Sequence, residues 1–363
     1  DGPGDRSSRQ ARASTNSGPL NLPGIGVSAD QSLVDYVTTG TNGKLRYNAA
    51  NEVTGGAQDI TVDQIGGASN FNMNGNIQEV LMWDTNQDSN RAGIATDINS
   101  NYLIYQPTDA PTSGLLATYT GAAAAYSVRQ LSDKAVIAMR IRRDSDDAET
   151  NIGFDSNGDL DTTAISDFCS TANGYVVEWA DQSTNGNHAT QSTGTNQPQI
   201  YNGTAAITEN GKPALEFDGT NDEFTTGATI RTATTFTVSQ EDTSGRHVIY
   251  GSVTNTNQFL RTGTGASAIF ANGTIISTSI TTGNQRLLYV NNPGTGSEIA
   301  NNGGSTSSGN INSTSFGNFA IGQKANQFRM DGTIQEIVVF GTEQSSNRTG
   351  IETDINTYFS IYT

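Results

Sequence analysis

The sequence predicts an all-β sandwich, and three observations carry that prediction. Short apolar stretches recur along residues 115–363, each bounded by Gly- and Asn-rich turns. Hydrophobic residues make up only 34% of the chain against 40 glycines, which suits thin sheets with one dry and one wet face better than a helical core. The C-terminal segment repeats an earlier one, so one type of domain ends twice in the same way.

The bulk numbers set limits. A chain of 363 residues accommodates two domains, or one large β domain with an appendage. A formal net charge of −17 repels phosphate backbones, so no nucleic-acid partner is expected. No run of about 18 apolar residues exists, so no membrane-inserting helix is expected. Cys169 is the single cysteine, which rules out an intrachain disulfide framework.

Residues 1–30 are rich in Pro, Gly, Ser and Arg without periodicity and read as an extended N-terminal arm. The repeat comes next. "MNGNIQEVLMWDTNQDSNRAGIATDINSNYLIY" from Met73 returns as "MDGTIQEIVVFGTEQSSNRTGIETDINTYFSIY" from Met330, with more than half the positions identical. Each copy reads as strand, turn and short helix. Ile334, Glu336, Val338 and Phe340 alternate against Gln335, Ile337 and Val339. Ser346 and Asn347 are placed to cap a helix whose Ile351 and Ile355 share a face; Asn90, Ile94 and Ile98 do the same in the first copy. The copies differ in what precedes this ending. Residues 31–106 have room only for the C-terminal half of a β module, residues 107–114 form a Pro/Thr/Ser linker, and residues 115–363 hold a full sandwich. An incomplete sandwich leaves open strand edges, which implies a preceding segment or a partner chain, and a homo-oligomer is expected.

Within residues 115–363, strands are predicted near 135–143, 175–180, 213–219, 234–240, 247–253, 267–273, 286–292, 318–323 and 333–341. One helix is predicted at "DTTAISDF", with Asp161 as N-cap and Ala164, Ile165 and Phe168 facing inward.

Four groups of residues are candidates for chemistry. Asp155, Asn157, Asp159 and Asp161 gather alternate oxygens over seven residues, which suits Ca²⁺; the glycine position and the missing bidentate Glu depart from an EF-hand, and a solvated hairpin is the alternative. Arg140, Arg142 and Arg143 beside Asp144, Asp146 and Asp147 read as a salt-bridge ladder. The loop "EWADQSTNGNHATQ", Glu178 to Gln191, holds one of two histidines. Trp179, Asp181, Asn187 and His188, with Tyr201, are its candidate glycan contacts; its Asn and Gly residues equally suit tight turns, with Asp181 bonding backbone amides. His247 has no partner nearby in sequence. No nucleophile elbow or phosphate loop is present.

Two blocks carry a family resemblance. "NGKPALEFDGTNDEF" (210–224) and the closing "MDGTIQEIVVF" resemble a concanavalin A-like jelly roll of the laminin-G type. "AAAAYSVRQL", the stretch from Met139 to Cys169, and "VVEWADQSTNGNHATQ" are similar to the N-terminal part of the arabinofuranosidase B catalytic domain, a block also frequent in tailed-phage virion proteins. The resemblance implies a concanavalin A-like jelly-roll β-sandwich, one full copy preceded by a partial one. In that family the nucleophile sits on a strand whose counterpart here is "SAIFANGTIIS" (267–277), which holds no acid. The family's acid falls at Lys324, its vicinal cysteines have no equivalent, and the disulfide partner of Cys169 falls at Gly174.

These departures lead to the expectation of a non-enzymatic structural protein of a phage particle, a capsid decoration, head fibre or tail component. It would assemble with other virion proteins, contact host surface glycans and require no cofactor, with Ca²⁺ an option rather than a requirement. The alternatives are a secreted or surface carbohydrate-binding adhesin and an active arabinofuranosidase, the last requiring a carboxylate pair.

Overall fold

The computed structural model describes residues 12–13, 20–21, 32–39, 42–48, 50–56, 67–68, 71–72, 77–107, 110–254, 259–263, 267–271, 275–293, 295–311, 315–323 and 328–363. The chain divides into two compact units, Asp1–Tyr105 and Gln106–Thr363. Most of the N-terminal arm lies outside the described residues; within it Arg12–Ala13 pairs antiparallel with Leu20–Asn21.

The first unit holds a three-stranded antiparallel sheet, Val34–Thr39, Asn42–Tyr47 and Ala50–Gly56, and the helix Arg91–Tyr102. The helix is tied to the sheet by charge. Arg91 is 5% exposed, and its guanidinium bonds Asp35 and, at 2.8 Å, Glu52.

The second unit is the expected sandwich, built wholly from antiparallel pairs. In one sheet the long strand Asp331–Phe340 is central. Thr234–Glu241 pairs along one edge of it; Leu215–Asp218 and then Ala122–Ser127 share the other. Arg286–Asn291, Ser297–Asn301 and Ser307–Gly309 extend this sheet outward. The opposing sheet runs from Glu149–Ile152 through Met139–Arg143, Asn173–Trp179 and Ala189–Thr190 to Phe224–Thr225. It continues through Phe319–Ile321, Val248–Ser252, Phe259–Thr262 and Ser267–Ala271 to Ile275–Ser279. Aromatic rings fill the space between: Trp179 lies 5.8 Å from Tyr126 and 6.5 Å from Phe224, measured between centroids.

The alternation predicted for Asp331–Phe340 implied one wet face, yet every residue from Gly332 to Phe340 is buried. Its polar side chains are covered and bonded instead. Gln335 donates to the carbonyls of Glu209, Lys212 and Pro213, and Glu336 meets Arg129. Gly332 has φ +128°, and a Cβ there would come within 2.3 Å of the Gln240 carbonyl, so a glycine is required where this strand crosses its neighbour.

The two copies agree at their helical ends down to single hydrogen bonds, but the strand expected in both is found only in the second, as Asp331–Phe340; Ile77–Trp83 forms no strand. Helices Arg91–Tyr102 and Arg348–Phe359 end at residues in the left-handed region, Leu103 and Ser360. In each, one asparagine closes the end. Asn99 bonds the amides of Ile104 and Tyr105 and the Tyr105 carbonyl; Asn356 bonds the amides of Ile361 and Tyr362 and the Tyr362 carbonyl. The expected capping by Asn90 and Asn347 is not made; their backbones are helical at the cap position, and each side chain donates from Nδ2 to a glutamine, Gln87 or Gln344. Ile351 and Ile355 are buried, whereas Ile94 and Ile98 are only half-buried.

The helix Thr162–Cys169 is capped as expected, with the Asp161 carboxylate accepting from the Ala164 amide at 2.9 Å. It ends at Cys169, whose Sγ would lie 2.8 Å from a Cβ placed on Gly174. That separation is within disulfide reach. The variant G174C is expected to form a disulfide with Cys169 and, by the loop-closure relation for so short a loop, to gain about 2 kcal/mol. Thiol titration of the unfolded protein and urea midpoints with and without reductant check this; two free thiols under oxidising conditions would refute it.

Candidate functional site

The loop Glu178–Gln191 is a structural turn. The Asp181 carboxylate is fully buried and accepts from the amides of Ala125, Ser183 and Asn187 and from the Ser183 hydroxyl, each at 2.9 Å. Asn187 donates to the Ala123 carbonyl, and His188 Nδ1 accepts from the Asp181 amide. Glycan contact through Trp179, Asp181 and Tyr201 is therefore corrected. Trp179 is sealed in the core, Asp181 has its lone pairs occupied, and Tyr201 is buried with its hydroxyl on the Ser170 carbonyl. Asn187 and His188 are half-buried and serve the turn.

The Ca²⁺ expectation is corrected in the same way. Asp155 accepts from the Asn157 and Asp159 amides, and these bonds hold its carboxyl below the usual range. Asp159 faces Lys212, and Asp161 caps a helix. The carboxylates thus point to separate tasks, and among the described residues no three His, Cys, Asp or Glu side chains converge on a metal position. The arginine ladder is present: Arg140 meets Glu149 and Glu178, Arg142 meets Asp147, and Arg143 meets Asp146.

A different cluster emerges at the turn joining Leu215–Asp218 to Phe224–Thr225. Asp218 Oδ1 accepts from the amides of Thr220, Asn221 and Asp222, which folds the turn back on itself. That folding buries Asp222, whose Oδ2 accepts from the Asp218 amide at 3.0 Å. Burial, first, and then the Asp218 and Glu216 charges push the Asp222 carboxyl up to about 7, against the opposing pull of the Asp218 amide and Arg329. Glu216 is half-buried, and its carboxyl is raised by burial and then by Asp242. Beside it Glu223 pairs with Arg329, and the Arg329 carbonyl lies 3.3 Å from His247 Nδ1. A carbonyl only accepts, so Nδ1 carries a proton. His247 Nε2 contacts the Thr243 hydroxyl, which also lies 2.6 Å from Asp331 Oδ2. A raised carboxyl and neighbouring carboxylates thus share this turn, and Arg329, paired with Glu223, links it through its carbonyl to His247. Sequence reasoning missed it because Arg329 and Asp331 approach the turn from more than 100 residues away.

The raised carboxyl has a consequence for stability. Folded Asp222 holds its proton to about pH 7, whereas the unfolded chain releases it near 3.8. Between those values the folded state binds more protons, so stability falls as pH rises from about 4 to about 7 and then levels off. D222N keeps the acceptor for the Asp218 amide but cannot titrate. Its urea midpoint relative to the parent is expected to rise between pH 4 and pH 8; a difference independent of pH would refute the shift.

Comparison with known proteins adds a likeness over part of the chain. Residues 109–287 match the family model "Alpha-L-arabinofuranosidase B, catalytic". No curated protein matches the sequence. Among solved structures, a GH54 α-L-arabinofuranosidase soaked with a cyclic sulfate inhibitor is similar at 18% identity and TM-score 0.53, over 64% of this chain and 62% of that one. An arabinofuranosidase complexed with arabinofuranosyl-α-1,2-xylobiose gives 19% identity and TM-score 0.52 over the same shares. At this identity the likeness establishes the fold, and the chain spans 62% of the length of these enzymes.

The expectation of a non-enzymatic structural virion protein is overturned by the match to a catalytic-domain model. It rested on the stretch 267–277, on Lys324 and on the lack of vicinal cysteines in a chain whose single cysteine is Cys169. The first lies inside the matched span, and the side chains of 267–271 and Lys324 itself lie outside the described residues. Nothing in the fold or the comparisons links the chain to a phage particle.

Proposed function

We propose that the chain is a glycoside hydrolase acting on α-L-arabinofuranosyl linkages. The match of residues 109–287 to the arabinofuranosidase B catalytic-domain model carries this reading. The sandwich, similar to that of arabinofuranosidases, supports it.

Glycoside cleavage needs a carboxylic acid to protonate the departing oxygen and a second carboxylate to meet the positive charge developing on the sugar. Asp222 is assigned the first role, because a carboxyl near 7 is both protonated in part and ready to give the proton up at neutral pH. Glu216 is assigned the second; both residues stand apart from 267–277 and Lys324, where the resemblance places the family's nucleophile and acid and where this sequence has no carboxylate. The Glu216 charge acts on Asp222, and its side chain is half-buried at the strand rather than locked into the turn.

The test is hydrolysis of 4-nitrophenyl α-L-arabinofuranoside, a compound soaked into a mutant of the GH54 relative. The chain is expected to release nitrophenol above the buffer rate, and E216Q to lose most of that activity. A rate equal to buffer for the folded parent chain would overturn the proposal.

A further inference from the structure

The two copies of the repeat share a sequence but not its surroundings. In the second unit, strand Ala122–Ser127 lies along Asp331–Phe340 with Ser127 opposite Glu336. Just beyond it, Arg129 enters between two acids. Its guanidinium donates to Glu336 at 2.7 Å and to Asp354 at 2.7 Å, and it lies over the rings of Tyr358 and Phe359.

The repeat places Glu79 where Glu336 stands, Asp97 where Asp354 stands, and Tyr102 where Phe359 stands. Glu79 and Asp97 line an open cleft of about 510 Å³ together with Ile98, Ser100, Asn101 and Tyr102. Burial and then the Glu79 charge raise the Tyr102 phenol above its usual range, so Glu79 and Tyr102 face one another. No cation pairs with Glu79 or Asp97 among the described residues. The described part of the central strand's counterpart, Ile77–Trp83, belongs to no sheet, and its apolar side chains are exposed. Ile77, Val80, Leu81, Met82 and Trp83 are 46–60% exposed, while Ile334, Ile337, Val338, Val339 and Phe340 are fully buried.

We propose that the first unit is a docking site for a separate polypeptide, which adds an extended strand along Ile77–Trp83 and sets an arginine between Glu79 and Asp97. The second unit supplies the template for the occupant: a strand of small residues followed by Ser-x-Arg. Main-chain pairing and the apolar row give affinity, and the doubly bonded guanidinium selects arginine over lysine.

The experiment titrates the full chain into a labelled peptide with the sequence of residues 122–131, AAAAYSVRQL, and follows fluorescence anisotropy. Saturable binding is expected. It should weaken at least tenfold when the peptide's arginine is replaced by methionine, and at least tenfold for the chain carrying E79Q and D97N. Both acids are exposed, so these changes leave the fold intact, which circular dichroism checks. Absence of binding, or binding indifferent to E79Q and D97N, would overturn the proposal. Indifference to the acids would place the peptide in the second unit by displacement of its own strand. Self-association that fills the cleft and excludes the peptide would equally overturn it, since the occupant would then be a second copy.

Discussion

D222N is expected to cut the turnover of an arabinofuranoside with a sugar-alcohol leaving group by about 100-fold or more, the usual contribution of a positioned general acid. The substitution preserves shape and the hydrogen bond from the Asp218 amide but removes the transferable proton. The choice of leaving group separates acid catalysis from structural damage. Nitrophenolate departs without protonation, so D222N should be far less impaired on 4-nitrophenyl α-L-arabinofuranoside than on arabinofuranosyl xylobiose. The pH profile gives a second discriminant. With the Asp222 carboxyl near 7, parent kcat/KM on the sugar substrate should decline as pH rises through neutrality, because the proton is lost. That limb should vanish in D222N. Equal losses on both substrates with an unchanged pH profile would remove Asp222 from the acid role.

This carboxyl also marks where sequence reading ended. The strand candidates and the repeat were legible because periodicity and identity are local. The Asp161 cap and the buried face of Ile351 and Ile355 followed directly from spacing. Burial is not local. Trp179 stands next to a loop of Asp, Gln and Asn and so suggested a sugar platform, yet Tyr126 and Phe224, from distant strands, close over it. Asp155, Asp159 and Asp161 suggested a cation, but each finds its partner in an amide or in Lys212, which sequence spacing cannot reveal. Asp222 attracted no notice in "DGTND" because burial, first, and then the Asp218 and Glu216 charges raise its carboxyl only once the turn has folded.

R129M is expected to destabilise the second unit by about 3–5 kcal/mol, the usual cost of removing one member of a buried ion pair. Glu336 is wholly buried at the middle of the central strand, and Arg129 neutralises it with two of its nitrogens, at 2.7 and 3.1 Å. After the substitution only the Ser127 hydroxyl still donates to that carboxylate. The loss therefore comes chiefly from an uncompensated charge rather than from missing packing. Two features make this testable. Adding E336L to R129M removes the orphaned carboxylate, so the double variant should recover most of the stability, and the pair should be strongly non-additive. Lys at position 129 keeps the charge but cannot reach Glu336 and Asp354 together as the planar guanidinium does, so R129K should fall between R129M and the parent. Urea unfolding followed by tryptophan fluorescence reads the second unit, where buried Trp179 reports the core; the exposed Trp83 is replaced by Phe in every variant so that the signal is single. A cost below about 1 kcal/mol, in the range of exposed ion pairs, would show that water reaches Glu336. The arginine clamp would then hold no central strand in place, and the clamp proposed between Glu79 and Asp97 would lose its template.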